Sequence, residues 1–497
     1  MKSIFQSIPI FFSKQVSYKK NVILSIASNI FSKALLFINT LFIGRYFISS
    51  QTDNYFYSFS IITIVAAFLN SSDVSVLSPE AMQIRNNDNK KEENNFWNTF
   101  LFLHSVFIFV LVFSYFISFF FFNVRIEYGL EAIVLILLIV FTSFLSTILT
   151  TYNYFSTPSL VSTLANICAL LCMVFLSSRF TLRVSFWGMI IGYSIALIYL
   201  IYKLRSSENW IFTFRYNDFK TLKSCLRKIF LVQLGSLASL SYNYGLLTIL
   251  KNLGIGVLSA YTYSQQIVGI PLNLFVVQLS AVVGIRLNSL VAKGNIKEAD
   301  EEVLKNVSLL LFIVVPICFV VSIFADDIIN LLFWNKKVSE EEFLQASFFL
   351  KYLIWILPFS LINTFLARLF FAFKKVDISF LNQLFFNIGL IVILKYLATL
   401  ENYKIIVYTI LAFHYFFILV VAYLVCRKVI PQIKYIRLIT TFINIVLVNL
   451  VPALIIFVLK KFLLISIIKY GLIVMLFIYL IYLLNYFLKT YIKINLF

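Results

Sequence analysis

Acidic side chains are scarce in this chain: 21 Asp and Glu stand against 41 Lys and Arg in 497 residues, and charged residues make up only 12%. A soluble domain averages about a quarter, so most of this surface faces lipid and no sizeable soluble domain is left to carry an activity. Histidine occurs only as His104 and His414, each isolated in the sequence, so no metal cluster is expected. Cys168, Cys172, Cys225, Cys318 and Cys426 show no redox or metal spacing and read as small apolar residues. The glycine-rich run ending in Gly-Lys-Ser/Thr that cradles nucleotide phosphates is missing, which excludes ATP hydrolysis through a P-loop. Gly254-Ile-Gly256 follows no strand and is no dinucleotide loop. No small-residue cleavage site follows the short apolar piece at 8–12, so no secretory leader is expected.

Apolar residues are abundant instead, at 61% of the chain. The runs 100–122 and 438–459 are continuously apolar rather than alternating, the pattern of spanning helices and not of a barrel. A span needs about 20 such residues. About fourteen stretches qualify: 21–48, 53–82, 97–122, 130–154, 159–176, 184–202, 229–250, 256–290, 303–325, 343–373, 378–397, 405–425, 438–459 and 462–488. The fold class expected is therefore an all-α polytopic membrane protein.

The formal charge of +20 does not point to nucleic acid, because the basic residues sit in short turns beside spans. Lys14, Lys19 and Lys20 precede the first span. Lys203, Arg205, Arg215, Lys220, Lys223, Arg227 and Lys228 fill one longer segment, and Arg427, Lys428, Lys434 and Arg437 follow the twelfth span. Positive-inside places both termini in the cytoplasm.

A repeat relates FIGRYFISSQTDNYFYSFSIITIVAAF, from Phe42, to NLGIGVLSAYTYSQQIVGIPLNLFVV, from Asn252. Each copy puts a Gly at a short turn, then a long span, then a polar segment (85–95 and 293–306). Two pseudo-symmetric six-helix lobes plus two carboxy-terminal helices follow: 1–202, a linker at 203–228, 229–425, and 426–497. Transporters built from such repeats enclose their substrate where the repeats meet.

Polar groups deep in spans are the informative ones, since a charge there costs about 2.5–3.5 kcal/mol on insertion scales. Lys33 lies near the middle of the first span with Asn29, Ser32 and Asn39 around it, a cation suited to an anionic headgroup. Its alternative is a lysine that snorkels to the interface. Asp73, near the inner end of the second span, titrates during transport or marks a helix end. Gln233 and Asn243 in the seventh span, and Gln265 and Gln266 in the eighth, bind sugar hydroxyls or hold helices together. Pro271 is expected to kink the eighth span. Arg286 and Arg368, toward the inner ends of the eighth and tenth, suit a diphosphate or mark topology. Asp326-Asp327, the one enzyme-like acidic pair, reads as a solvated turn.

The order and spacing of several segments resemble the multidrug/oligosaccharidyl-lipid/polysaccharide (MOP) flippase superfamily, most of all its lipid II flippase (MurJ/MviN) branch, with Wzx-like polysaccharide flippases beside it. The carriers are Thr52-Asp53 within TDNYFYSF, Ser78-Pro79, GIGVLSAYTYSQQIVGIP from Gly254 to Pro271, GNIKEADEEV, LLFWNKKVSEEEF and RLFFAFKK from Arg368 to Lys375. The resemblance implies two lobes that carry a polyprenyl-diphosphate-linked saccharide from inner to outer leaflet by alternating access, in a bacterial plasma (inner) membrane. It implies no cofactor, with Na or H as coupling ion or the membrane potential as drive. It implies partners among the polysaccharide polymerase or glycosyltransferases of the same pathway, and adds Asp53 to the cavity residues. In the lipid II branch, cavity arginines on the first, second and eighth spans meet the diphosphate; here those positions read Lys33, Asn39, Ala66 and Gln266. Three missing cations tilt the expected cargo toward an O-antigen or other surface-polysaccharide repeat unit. The alternatives are a cation-coupled multidrug exporter of the same superfamily, with Asp73 as its acid, and a polysaccharide polymerase or glycosyltransferase, which the short outer loops disfavour.

Overall fold

The computed structural model describes residues 18–86, 90–122, 127–154, 156–213, 219–333 and 338–462. The elements named in them are all helical, and eleven helices among the described residues are long and apolar enough to cross a membrane. The all-α polytopic class is thus correct, while the count of fourteen is not reproduced. The seventh expected span lies in a long helix that carries Gln233, Ser236, Ser239, Ser241 and Asn243 along its apolar stretch. The eighth is divided by a π turn, and the fourteenth lies outside the described residues from 463 on.

The chain falls into two compact units, Met1–Leu258 and Ser259–Phe497. The first holds α1 (Tyr18–Tyr46), α2 (Ser49–Ser72), a π turn (Asp73–Leu77), α3 (Ser78–Asn86), α4 (Lys90–Phe122), α5 (Gly129–Thr151), α6 (Thr157–Phe180), α7 (Arg183–Glu208) and α8 (Phe219–Asn252). This division falls later in the chain than the expected linker at 203–228, because α8 packs along α2.

The tightest pairing in this unit joins α6 and α7. A Cβ built on Gly188 would stand 2.5 Å from the Ala169 Cα, and one on Gly192 2.5 Å from the Ala165 Cα. Two glycines four residues apart thus meet two alanines four residues apart, so the backbones touch. Trp97 and Phe144, both fully buried, cross edge to face with ring centroids 5.5 Å apart at the centre of the core.

The second unit follows from α9 (Val257–Pro271), which begins just before the division. A π turn (Leu272–Val276) comes next, then α10 (Val277–Ala292), α11 (Ile296–Ile323), α12 (Ala325–Phe333), α13 (Glu340–Leu353) and α14 (Leu357–Ala372). After these come α15 (Val376–Leu397), α16 (Tyr403–Phe416), a third π turn (Phe417–Val421), α17 (Ala422–Val429) and α18 (Tyr435–Phe462). Pro271 has no N–H to donate, and the helix widens into its π turn at the next residue, so the expected kink takes this form. Ser339 caps α13 by accepting from the Glu342 N–H at 3.1 Å, and Glu340, Glu341 and Glu342 set negative charge against the helix's positive end. The expected solvated turn at Asp326-Asp327 is instead tied down. Lys460 on α18 bonds Asp327 at 2.5 Å and the Ile323 carbonyl that ends α11 at 2.8 Å. A cation is favoured there because the last carbonyls of a helix carry partial negative charge.

Candidate functional site

Two faces of α1 carry its polar residues. Ser28, Ser32 and Asn39 are buried against α6: Ser28 bonds Ser159 at 2.6 Å, Ser32 bonds Ser162 at 2.7 Å, and the Asn39 amide donates to Asn166 at 3.1 and 3.2 Å. Asn39 therefore joins helices rather than lining a cavity, a use of amides worth about 1 kcal/mol in lipid. Asn29 and Lys33 lie about 100° further round the helix, where Lys33 is exposed and takes part in no ion pair among the described residues. Ala66 is 2% exposed, inside the core between α2, α4 and α5. An arginine at 39 or 66 would enter packed helix interfaces. Asn39 and Ala66 are thus both committed to packing between helices in this structure.

Along α2 and α8 runs a polar seam within the first unit. At one end Asp53, 5% exposed, accepts the Gly256 N–H at 2.6 Å, just ahead of the first residue of α9. A carboxylate there meets both an unpaired N–H and the positive end of the helix. Gly256 has φ +89°, a conformation that suits glycine. Further along, the Tyr57 hydroxyl lies 3.4 Å from that of Thr248, and Lys251 stands 4.2 Å from the Tyr57 ring centroid. Ser236 donates to Ser71 at 3.4 Å, and at the other end Lys228 pairs with Glu80. Its hydrogen bond to Glu80 holds the Lys228 ammonium above the usual lysine range. Gln233 is half-buried one turn from Ser236, and Asn243 is exposed on α8.

In the second unit Gln265 and Gln266 are half-buried on α9, where Gln265 bonds Tyr261 one turn earlier. Arg286 is exposed and already paired with Glu302 at 3.2 Å, so its charge is partly answered by the protein. Arg368 is half-buried and lies across Gly284 of α10, where a Cβ would meet its Cδ at 3.0 Å. It has no ion pair among the described residues.

Two clusters were not legible in the sequence. Glu93 is fully buried and takes a bidentate fork from Arg85, which also donates to the Thr151 carbonyl at 2.6 Å and hydroxyl at 2.8 Å. The same guanidinium lies 3.7 Å from the Tyr152 ring centroid. This clamp fixes the ends of α3, α4 and α5. His104, isolated in the sequence, is not isolated in space: its Nε2 lies 3.4 Å from the fully buried Asp73 carboxylate. The sequence marked Asp73 as a candidate acid and His104 as isolated, and nothing in it paired the two.

A family model described as "Lipid II flippase MurJ" matches residues 43–481. A curated relative, the probable lipid II flippase MurJ of Buchnera aphidicola subsp. Acyrthosiphon pisum (strain APS), is 26% identical over 380 residues, covering 71% of this chain and 73% of that protein. A solved structure of lipid II flippase MurJ in an inward closed conformation superposes with a TM-score of 0.74 at 18% identity, over 95% of this chain and 100% of the other. An inward-facing multidrug resistance MATE family transporter of the MOP superfamily superposes at 0.69 with 14% identity, over 81% and 95%. At these identities the structural likenesses speak for the fold.

Proposed function

Because this chain belongs to the lipid II flippase MurJ family, we propose that it carries a polyprenyl-diphosphate-linked saccharide from the inner to the outer leaflet, with lipid II as cargo. The observation that carries this reading is the family match over residues 43–481, nearly the whole span-bearing chain. The physical need is plain. A diphosphate and several sugars dragged through hydrocarbon lose water from charges and hydroxyls at a cost of several kcal/mol each. A polar path that leaves the prenyl tail in lipid removes that barrier.

In this reading Lys33 and Asn29 meet the headgroup, Lys33 as the deep cation on α1. The polar α2–α8 seam supplies the gates. Asp53 on Gly256 closes the end that positive-inside assigns to the outside, and Glu80 on Lys228 closes the cytoplasmic end. Alternating access requires that the two ends open in turn, each held by contacts the other state lacks. Gln233 and Asn243 are further hydrogen-bonding candidates in the first unit, and Gln265, Gln266 and Arg368 are candidates in the second. Arg286 contributes to a headgroup only by leaving Glu302.

A second cargo, a surface-polysaccharide repeat unit, is favoured by Gln266, a neutral amide where the resemblance expects a cavity cation. Complementation in two bacterial strains separates the cargoes, one depleted of its lipid II flippase and one lacking its O-antigen flippase. Rescue of the first is the expected result. Rescue of the second alone assigns the polysaccharide cargo, and rescue of neither, with the protein present in the membrane, overturns the flippase reading.

A further inference from the structure

Asp73 follows two residues after Ser71 of the seam, and nothing in the flipping path uses its pairing with His104. Asp73 opens the π turn after α2 and is completely buried, and neither carboxylate oxygen has a hydrogen-bond partner. The His104 Nε2 on α4 lies 3.4 Å from Oδ1, with the His104 side chain 10% exposed, and the same ring also bonds the Leu69 backbone of α2. The other ring nitrogen, Nδ1, is 2.9 Å from the Phe100 carbonyl. A carbonyl only accepts, so Nδ1 carries a hydrogen and Nε2 is the nitrogen that faces Asp73. The fully buried Phe144 ring packs on His104, with ring centroids 4.9 Å apart.

This geometry leaves one proton to be placed. With a proton between Nε2 and the carboxyl, the pair is neutral overall, whether written as acid and imidazole or as carboxylate and imidazolium. Without it, a bare carboxylate faces the Nε2 lone pair with no other donor, in a setting where an uncompensated charge is prohibitive. The remaining charged groups of the packed elements are engaged elsewhere. Glu80 on α3 pairs with Lys228 of α8, Arg85 on α3 with Glu93 of α4, and Glu131 on α5 with Arg183. Cys225 of α8 is buried near the Glu80–Lys228 pair, and Lys90, Lys91 and Glu92 are exposed at the start of α4. Metal coordination lacks support, since no group of three or more His, Cys, Asp or Glu gathers among the described residues.

We propose that Asp73 and His104 form a proton-binding site inside the first unit, holding one proton between the carboxyl and Nε2 while sealed and releasing it when water reaches the pair. Resting on the flippase reading above, the site couples translocation to protons. The pair sits where the wide π turn joins α2, which also carries Asp53, to α3, which carries Glu80. A rearrangement of either end of the seam therefore pulls on the element that buries Asp73.

The test uses the full-length protein in lipid. Infrared difference spectra across a pH series should show a carboxyl band that is sensitive to deuterium exchange, is lost in Asp73→Asn and is displaced in His104→Gln. An unchanged band in both variants, or a band that follows sodium rather than pH, overturns the site. Flipping of lipid II in proteoliposomes is then measured under imposed proton gradients. The native protein should respond to the gradient, and Asp73→Asn should lose that response. An equal gradient response in the variant overturns the coupling. Absence of flipping at every pH, with the infrared band intact, overturns the cargo reading and leaves the proton site standing.

Discussion

Lys33 and Asn29 stand four residues apart on α1, on one face, and the structure leaves the lysine exposed while its neighbours Ser32 and Asn39 are committed to α6. The polar residues of this span thus divide between helix packing and a free cation. A charge-assisted hydrogen bond is worth about 1.5–3 kcal/mol, so Lys33→Ala should weaken headgroup affinity about ten- to a hundredfold, whereas Lys33→Arg should retain it. Binding of lipid II to the purified protein checks this, and undiminished binding by the alanine variant removes Lys33 from the site. Which polar residues are adhesive and which are free was not readable from the chain. Asn39 and Lys33 look alike in sequence, and only the position of α6 separates them.

At the scale of elements, the α6–α7 pair has a different origin. The sequence expectations did not include Gly188-Met-Ile-Ile-Gly192, which in the structure brings α7 onto Ala165 and Ala169. Any side chain at 188 must displace backbone, which cannot rotate away. Overpacking costs about 1–3 kcal/mol, and Gly188→Leu should fall at the upper end, seen as a lowered Tm in detergent. Gly389→Ala is the contrasting case. Its Cβ would meet only the Phe413 ring, at 3.1 Å from Cζ, and a ring can shift, so its Tm should stay near that of the native protein. The π turns were less accessible. Pro271 pointed to a kink where the one after α9 forms, but the turn at Asp73–Leu77 has no proline in it.

For the whole molecule, apolar run length and the placement of Lys and Arg determined a great deal. The all-α polytopic class follows from them, because lipid admits little besides helices and closed barrels. So does the expected orientation, which predicts that a reporter fused after Lys220 reads cytoplasm and one after Glu401 reads the exterior. The reverse pattern would overturn both the orientation and the assignment of the two gates. Membership in the MurJ family was visible in the order of segments such as TDNYFYSF and GIGVLSAYTYSQQIVGIP, since linear order survives when single residues do not. What only the tertiary structure decided is which distant polar groups meet: Asp53 with Gly256, Arg85 with Glu93 and Thr151, Asp73 with His104. Those pairings depend on the rotation of each helix about its axis. In a span that is apolar on every side, the sequence pattern leaves that rotation undetermined, and packing against neighbouring helices sets it.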